Sequence, residues 1–278
     1  MRVMVAGNRE NERIKNALDE ALKILQPLAE VVFVDLGLIR TLETKGIDIV
    51  FVFGGDGSIL RVAQMLRGAL IPVVGVNVGR FGFLTEFEMD EFRVKVEEWI
   101  KKVPEPSARV MFAVTLTSRR KKGYVLNEMA VIRSGATRIA HLEFLLNGEF
   151  ITEFAGDGVL VATPTGSTAY SLSAGGPVVP PDTPVMVVTP INPHTLTNRP
   201  LVLPDDSVVT VKVADGRVRM VLAMDGQTSI PLRQNDEVKI EKSERRFLLV
   251  ENGLFFETLK KKLSWGGVPN YGKGKNRD

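Results

Sequence analysis

The chain has 278 residues, with 36 Lys and Arg against 33 Asp and Glu, a formal charge of +3. Hydrophobic residues make up 44% and charged residues 25%, which excludes a disordered chain, whose apolar surface cannot offset the entropy of ordering. There is no cysteine and no apolar run near the ~18 residues of a membrane span, so disulfides, thiolate metal sites, cysteine nucleophiles and a spanning helix are ruled out.

The first hundred residues alternate strand and helix. Val3–Ala6 reads as a strand. Ile14, Ala17, Leu18, Ala21, Leu22 and Leu25 then recur at three and four residues, the pattern of a helix with one apolar face, and Pro27 stops it. Val31–Val34 and Ile47–Phe53 are strands, the latter without polar alternation, as in a parallel sheet covered on both faces. Gly54-Gly55-Asp56-Gly57 follows, then a helix carrying Ile59, Leu60, Ala63 and Leu66, a strand over Pro72–Val78 and a helix over Glu91–Lys101. Pro104-Glu105-Pro106 marks a linker.

Beyond it the pattern is strand after strand: Arg109–Thr117, Tyr124–Arg133, Ala140–Leu146, Phe150–Phe154, Val159–Ala162, Val185–Thr189, Val208–Val213, Val218–Met224, Glu237–Ile240 and Phe247–Glu251. Asn147-Gly148 and Asp215-Gly216 are read as hairpin turns, and Arg119–Lys122 as a solvated hairpin tip. Phe255–Leu263 is helical again. The fold class is therefore an α/β N-terminal domain with a mostly parallel sheet plus an all-β antiparallel C-terminal domain. The division expected is 1–104, 105–251, and a segment 252–278 packing back on the first part. A charge of +3 is a weak field and aromatics are only 7%, so neither nucleic acid nor membrane is an expected partner. The apolar N-terminal stretch is too short for a signal peptide, and a cytoplasmic location is expected.

Three groups carry chemistry. Gly54-Gly55-Asp56-Gly57-Ser58 sits at a strand end entering a helix, where glycines admit close approach and helix amides suit a phosphate. Asp56 is out of place in a pure phosphate loop, since like charges repel. It calls for a metal ion or a hydroxyl that gives up its proton, or else it merely tolerates the turn. In Thr163–Ser171 five Ser and Thr hydroxyls crowd together after Gly156-Asp157-Gly158, offering donors and acceptors to an oxygen-rich ligand. Asn127-Glu128 places an amide and a carboxylate on an apolar strand, where each needs a partner.

Taken together, the sequence resembles the NAD kinase family over almost its whole length. Gly54-Gly55-Asp56-Gly57-Ser58 is similar to that family's GGDGT/S loop, and Gly75–Leu84 to its second glycine segment, with Phe81 where Leu is more usual. Thr163–Ser173 resembles its TPTGSTAY signature. Asn127-Glu128, Pro190–Leu201 and Asp225-Gly226-Gln227 are similar to further family motifs. The resemblance implies transfer of a phosphoryl group from ATP or polyphosphate to the 2′-hydroxyl of the adenosine ribose of NAD. It also implies Mg²⁺ or Mn²⁺ with the donor and a homodimer or homotetramer; the sequence itself shows no dedicated metal cage.

By the same resemblance Asp56 is the general base. Gly54, Gly55, Gly57 and Ser58 form the phosphate loop. Gly57, Arg61, Asn127, Glu128, Arg138, Asp157, Thr165, Thr168, Ala169, Tyr170, Ser171, Leu172, Ser173, Asn192 and Gln227 join Asp56 in holding NAD. Ala155 departs from the pattern, standing where many relatives place Arg. His141 and His194, the two histidines, are not expected to catalyse. Another kinase with a GGDG loop, acting on lipid or sugar phosphate, and a non-catalytic nucleotide sensor are the alternatives. Asp56 discriminates the last, since pure binding has no use for a carboxylate there.

Overall fold

The structure is a computed structural model and describes residues 1–38, 41–79, 82–135, 138–195 and 197–263. Arg80, Phe81 and Leu196 of the family-like segments, and the tail with Lys273 and Lys275, lie outside the described residues.

The first part runs β1 (Arg2–Gly7), α1 (Glu12–Leu25), β2 (Glu30–Asp35), β3 (Ile49–Gly54), α2 (Asp56–Leu66), β4 (Val73–Asn77) and α3 (Met89–Lys101). Asn11 caps α1 by accepting from the Arg13 and Ile14 amides. The strands pair in parallel, in the order β2-β1-β3-β4. All six residues of β3 are buried because both its faces are covered. Phe51 and Phe53 meet Phe92 of α3 edge-on at 5.4 and 5.2 Å, while Val50 and Val52 pack in the cluster with α2. Each such side chain contributes about 1.5–3 kcal/mol by leaving water.

The second part comprises β5 (Ser107–Leu116), β6 (Lys121–Val125), β7 (Glu128–Arg133), β8 (Ala140–Leu146), β9 (Glu149–Gly156), β10 (Gly158–Ala162), the short helix α4 (Tyr170–Ser173), β11 (Val185–Ile191), β12 (Leu201–Pro204), β13 (Val209–Val213), β14 (Met220–Met224), β15 (Thr228–Leu232), β16 (Glu237–Val250) and α5 (Phe255–Leu263). An antiparallel sheet in the order β12-β11-β10-β7-β14-β15 packs on β5, β6, β8, β9, β13 and β16. Phe112, Phe144 and Phe154 from one layer meet Met129, Val161 and Leu222 from the other.

β16 ties the two parts together. Its end pairs in parallel with β4 at Leu249 and Val250, while its start pairs antiparallel with β13 and, across a bulge between Lys242 and Arg246, with β5. The sequence expectation of two strands, Glu237–Ile240 and Phe247–Glu251, is corrected to this one: the intervening charges sit at the bulge without ending the ladder.

Two further expectations are corrected. Tyr124–Arg133 is not one strand but β6 and β7, which belong to different sheets; the chain crosses between layers at Leu126-Asn127. Asp215-Gly216 does not close a hairpin, because β13 and β14 lie in opposite sheets. The hairpin is β14–β15, closed at Asp225-Gly226, whose φ values of 50° and 63° give a turn matched to strand twist. Asn147-Gly148 does close the β8–β9 hairpin. At the β5–β6 tip, Arg119 is tied to Asp236 at 2.7 Å rather than only solvated.

Candidate active site

β3 delivers the chain to Gly54, and α2 starts at Asp56 with Gly55 as an N-cap that offers no side chain. At Gly55 and Gly57 a Cβ would meet nothing within 4 Å, so the first turn of α2 is bare to an approaching group. Its unpaired amides and partial positive charge favour an anion. Ser58 is half-buried against Gly54.

The half-buried Asp56 carboxylate is held by the loop after β4. Phe83 N–H donates to Oδ2 at 2.8 Å, Leu84 and Thr85 N–H to Oδ1 at 2.9 and 3.2 Å, and Thr85 Oγ1 to Oδ1 at 3.3 Å. Three consecutive amides thus fix one carboxylate. Gly82 is required beside it, since a Cβ there would overlap the carboxylate. A carboxylate has about four lone-pair sites, two per oxygen, so Oδ2 with its single bond keeps one for a hydroxyl.

A second carboxylate does the same for the crossing between β6 and β7. Asp225, 3% exposed, accepts from Leu126, Asn127 and Glu128 N–H at 2.9, 2.8 and 3.1 Å, with the Gln64 side chain beside it. Burial pushes its carboxyl up to about 6 against the pull of those donors. Burial, with the Asp225 charge behind it, pushes Glu128 up to about 8, so at neutral pH Glu128 is mainly protonated and can donate. Asn127 Oδ1 and Glu128 Oε2 are buried without a hydrogen-bond partner among the described residues. A buried polar atom left unpaired costs about 1–3 kcal/mol, so both favour a ligand that pairs with them.

The hydroxyl-rich run docks onto this crossing. Thr163 Oγ1 donates to Leu126 O at 2.5 Å and accepts from Gly166 N–H at 3.1 Å, and Thr163 N–H donates to Asn127 O at 2.8 Å. A Cβ on residue 166 would run into the Asn127 carbonyl, so glycine is needed for the approach. Ser167 Oγ spans the backbone of Val179, and Ser171 Oγ pairs with Thr189 Oγ1 at 3.0 Å. Of the five hydroxyls, three therefore hold the fold. Thr165 and Thr168 line the cleft, Thr168 Oγ1 donating to the Thr165 carbonyl at 3.2 Å.

Asp56, Asn127, Thr165, Thr168, Ala169 and Leu172 line one cleft of about 290 Å³, closed by Phe83, Leu84 and, from α5, Lys262. The two most distinctive motifs of the sequence, which lie in different halves of the chain, thus share a wall of one site. Residues 4–103 match the family model described as the ATP-NAD kinase N-terminal domain, and residues 126–252 that of the ATP-NAD kinase C-terminal domain. The chain belongs to the NAD kinase family.

Relatives cover nearly all of it. It is 40% identical over 234 residues to an NAD kinase of Aquifex aeolicus, covering 82% of this chain and 85% of that one. It is 34% identical over 279 residues to an NAD kinase of Geobacter metallireducens, covering 95% and 99%. Among solved structures it resembles yeast NADH kinase complexed with NADH (TM-score 0.84, 25% identity, 98% of this chain and 90% of that one). It also resembles an NAD kinase from Archaeoglobus fulgidus in complex with ATP (TM-score 0.79, 30% identity, 95% and 99%).

Against the family-derived residues, Asp157, Tyr170 and Asn192 line a separate cleft of about 280 Å³. There Arg133 Nε donates to Asp157 Oδ1 at 2.6 Å and Asn192 Nδ2 donates to Asp157 Oδ2 at 2.9 Å, and these hydrogen bonds hold the Asp157 carboxyl below its usual range. The cation beside Asp157, absent at Ala155, comes from Arg133 instead. Ser171 is fully buried and Ser173 exposed, and neither lines a cleft. Arg61 is half-buried on α2, and Arg138 and Gln227 are exposed; none of the three lines either cleft.

Sequence reasoning missed Asp225, Arg109 and Lys262. Arg109 is 5% exposed, paired with Glu251, and donates to Thr165 Oγ1 at 3.3 Å, with burial lowering it to about 10, still cationic at neutral pH. Lys262 lies 4.6 Å over the Phe83 ring. Only Asp225 carries a signal in the sequence, its place in a family-like tripeptide.

Glu128 gives a test by pH. Its folded pKa is raised from 4.5 to about 8, so its share of stability is complete below pH 4.5 and is lost as pH rises through 8. Glu128→Gln should therefore leave stability near pH 4 little changed. At pH 8 to 9 it should raise the urea midpoint by the equivalent of roughly 1–3 kcal/mol. Parallel slopes for the two proteins between pH 5 and 8 would contradict the buried, raised carboxyl.

Proposed function

We propose that the chain transfers the terminal phosphoryl group of ATP to the 2′-hydroxyl of the adenosine ribose of NAD, making NADP. The observation that carries this is the Asp56 carboxylate, fixed by three amides and keeping a free lone pair, in one cleft with Asn127, Thr165 and Thr168. Asp56 Oδ2 takes the hydroxyl proton as the ribose oxygen bonds to phosphorus and the bond to the leaving ADP oxygen breaks. Such transfers need positioning and charge neutralisation more than covalent work. Asn127 Oδ1 and the Glu128 carboxyl suit the amino and hydroxyl groups of adenosine. Asp157, Tyr170 and Asn192 remain proposed NAD contacts through the second cleft, and Gly57, Arg61, Arg138, Ala169, Leu172 and Gln227 remain proposed contacts by position in the family.

Among the described residues no three His, Asp or Glu side chains are grouped to hold a metal. The donor set fits a divalent ion, Mg²⁺ or Mn²⁺, that arrives bound to the donor phosphates as part of the substrate. Polyphosphate is the alternative donor. The segments 1–104 with 252–278, and 105–251, are the proposed domains. Exposed Phe150 and Ile151 on β9 and Val202 on β12 support a homodimer or homotetramer. A cytoplasmic location completes the proposal.

The direct test mixes protein, NAD, ATP and Mg²⁺ and detects NADP with an NADP-specific dehydrogenase. NADP that requires all three additions supports the reading. Tight NAD binding without NADP would favour a nucleotide sensor, and a parallel assay with polyphosphate identifies the donor.

Lys262 supplies the cation that a donor anion beside Asp56 needs. Lys262→Ala is expected to raise the KM for ATP about tenfold with a smaller change in kcat, since it removes one charge-assisted contact of roughly 1.5 kcal/mol. An unchanged KM in steady-state kinetics would remove Lys262 from the site.

A further inference from the structure

The two ends of α2 face different cavities. Asp56 opens the helix at the cleft; Gln64 and Arg67 close it at a cavity of about 460 Å³ between α2 and the β-layers, within the range of small-molecule sites. The floor is apolar, built from β5, β14 and β15, with Met224 as an adaptable surface. The rim is cationic: Arg67, Lys121, Lys122 and Arg245 all line it, and no Asp or Glu does. The Arg245 guanidinium stacks 3.7 Å from the centre of the Tyr124 ring, and Lys122 Nζ lies 5.6 Å from it. Among the described residues none of the four cations is paired with a carboxylate.

We propose that this cavity is a second ligand site, for a molecule bearing a phosphate on a flat apolar body, and that its occupancy is felt in the cleft. Converging cations repel one another, and a bound anion removes that cost. The apolar floor and the Tyr124 face then select against inorganic phosphate. The link to the cleft is short. Gln64 lines the cavity and its side chain lies beside the Asp225 carboxylate, lowering its pKa, and that carboxylate holds the Asn127 amide. Tyr124 lines the cavity and Asn127 the cleft, three residues apart where the chain leaves β6 and crosses to β7. Binding stands apart from the kinase reading; the coupling rests on it.

The test uses 1-naphthyl phosphate as probe, with 1-naphthol and inorganic phosphate beside it, in calorimetry on the full chain. One mole of naphthyl phosphate should bind per chain, with each fragment at least about tenfold weaker. Lys121→Glu/Lys122→Glu, and separately Arg67→Glu, should weaken it about tenfold or more, while Asp56→Asn leaves it intact. All three altered cations are exposed, and unchanged circular dichroism checks the fold. In kinase assays the probe should shift the KM for NAD in the parent chain and not in the double variant, by the reciprocity of linked sites. No binding, binding indifferent to charge reversal at both positions, or binding abolished by Asp56→Asn would overturn the site. Charge-sensitive binding without a KM shift would overturn the coupling alone. Failure of the kinase reading shows instead as no NADP in any sample.

Discussion

In Asp56→Asn, kcat falls by about 10²–10⁴ while most of the affinity for NAD remains. The ribose hydroxyl is a poor nucleophile, and the free lone pair on Oδ2 is the proposed acceptor for its proton. An amide cannot take that proton. The structure adds a second consequence. With its oxygen kept at Oδ1 for Leu84 and Thr85, the new amide would point its NH₂ at the Phe83 N–H, now 2.8 Å from Oδ2. One hydrogen bond of the loop is lost, at about 1 kcal/mol. These two origins of lost turnover separate experimentally. Loss of the base lowers kcat with the NAD dissociation constant nearly unchanged. Loss of loop order raises that constant as kcat falls. Near-parent turnover in single-turnover kinetics would reject Asp56 as the base.

What the sequence made legible follows from how local each cause is. β3 and α1 were readable because an unbroken apolar run and a three-four repeat are each complete within one short segment. The break inside Tyr124–Arg133 was not, because apolar residues continue through it. What bends the chain there is a carboxylate 99 positions later. The cluster of hydroxyls stood out as unusual, yet composition could not divide it. Thr163, Ser167 and Ser171 are committed to backbone and to Thr189 by contacts that only the fold creates. Arg109 reads as the start of the strand Arg109–Thr117, and Lys262 as one residue of the helix Phe255–Leu263. Long-range packing put one beside Thr165 and the other in the cleft. Asp56, which lines the cleft, stood out for the opposite reason: an acid among glycines at a helix start conflicts with its surroundings.

Replacing Asp225 should give the largest loss of stability. In Asp225→Ala three buried amides, those of Leu126, Asn127 and Glu128, lose their acceptor together. The residue also sits at φ 50°, a left-handed conformation that costs alanine roughly 1 kcal/mol and asparagine little. The sum is an expected destabilisation of about 3–5 kcal/mol in urea unfolding, with weakened NAD binding because Asn127 is no longer aimed. Asp225→Asn should be much milder, roughly 1–2 kcal/mol at neutral pH. It keeps an oxygen for Asn127 and Glu128, tolerates the turn, and removes a charge that burial disfavours. The sign with pH follows from the same group. Its folded pKa of about 6 is above the ordinary 3.8, so the stability it lends is complete below pH 3.8 and is lost as pH rises through 6. The asparagine variant should therefore lose the part of the pH slope that the parent shows over that window. Equal destabilisation by Ala and Asn would mean that the negative charge of Asp225, rather than its acceptor geometry, holds the crossing.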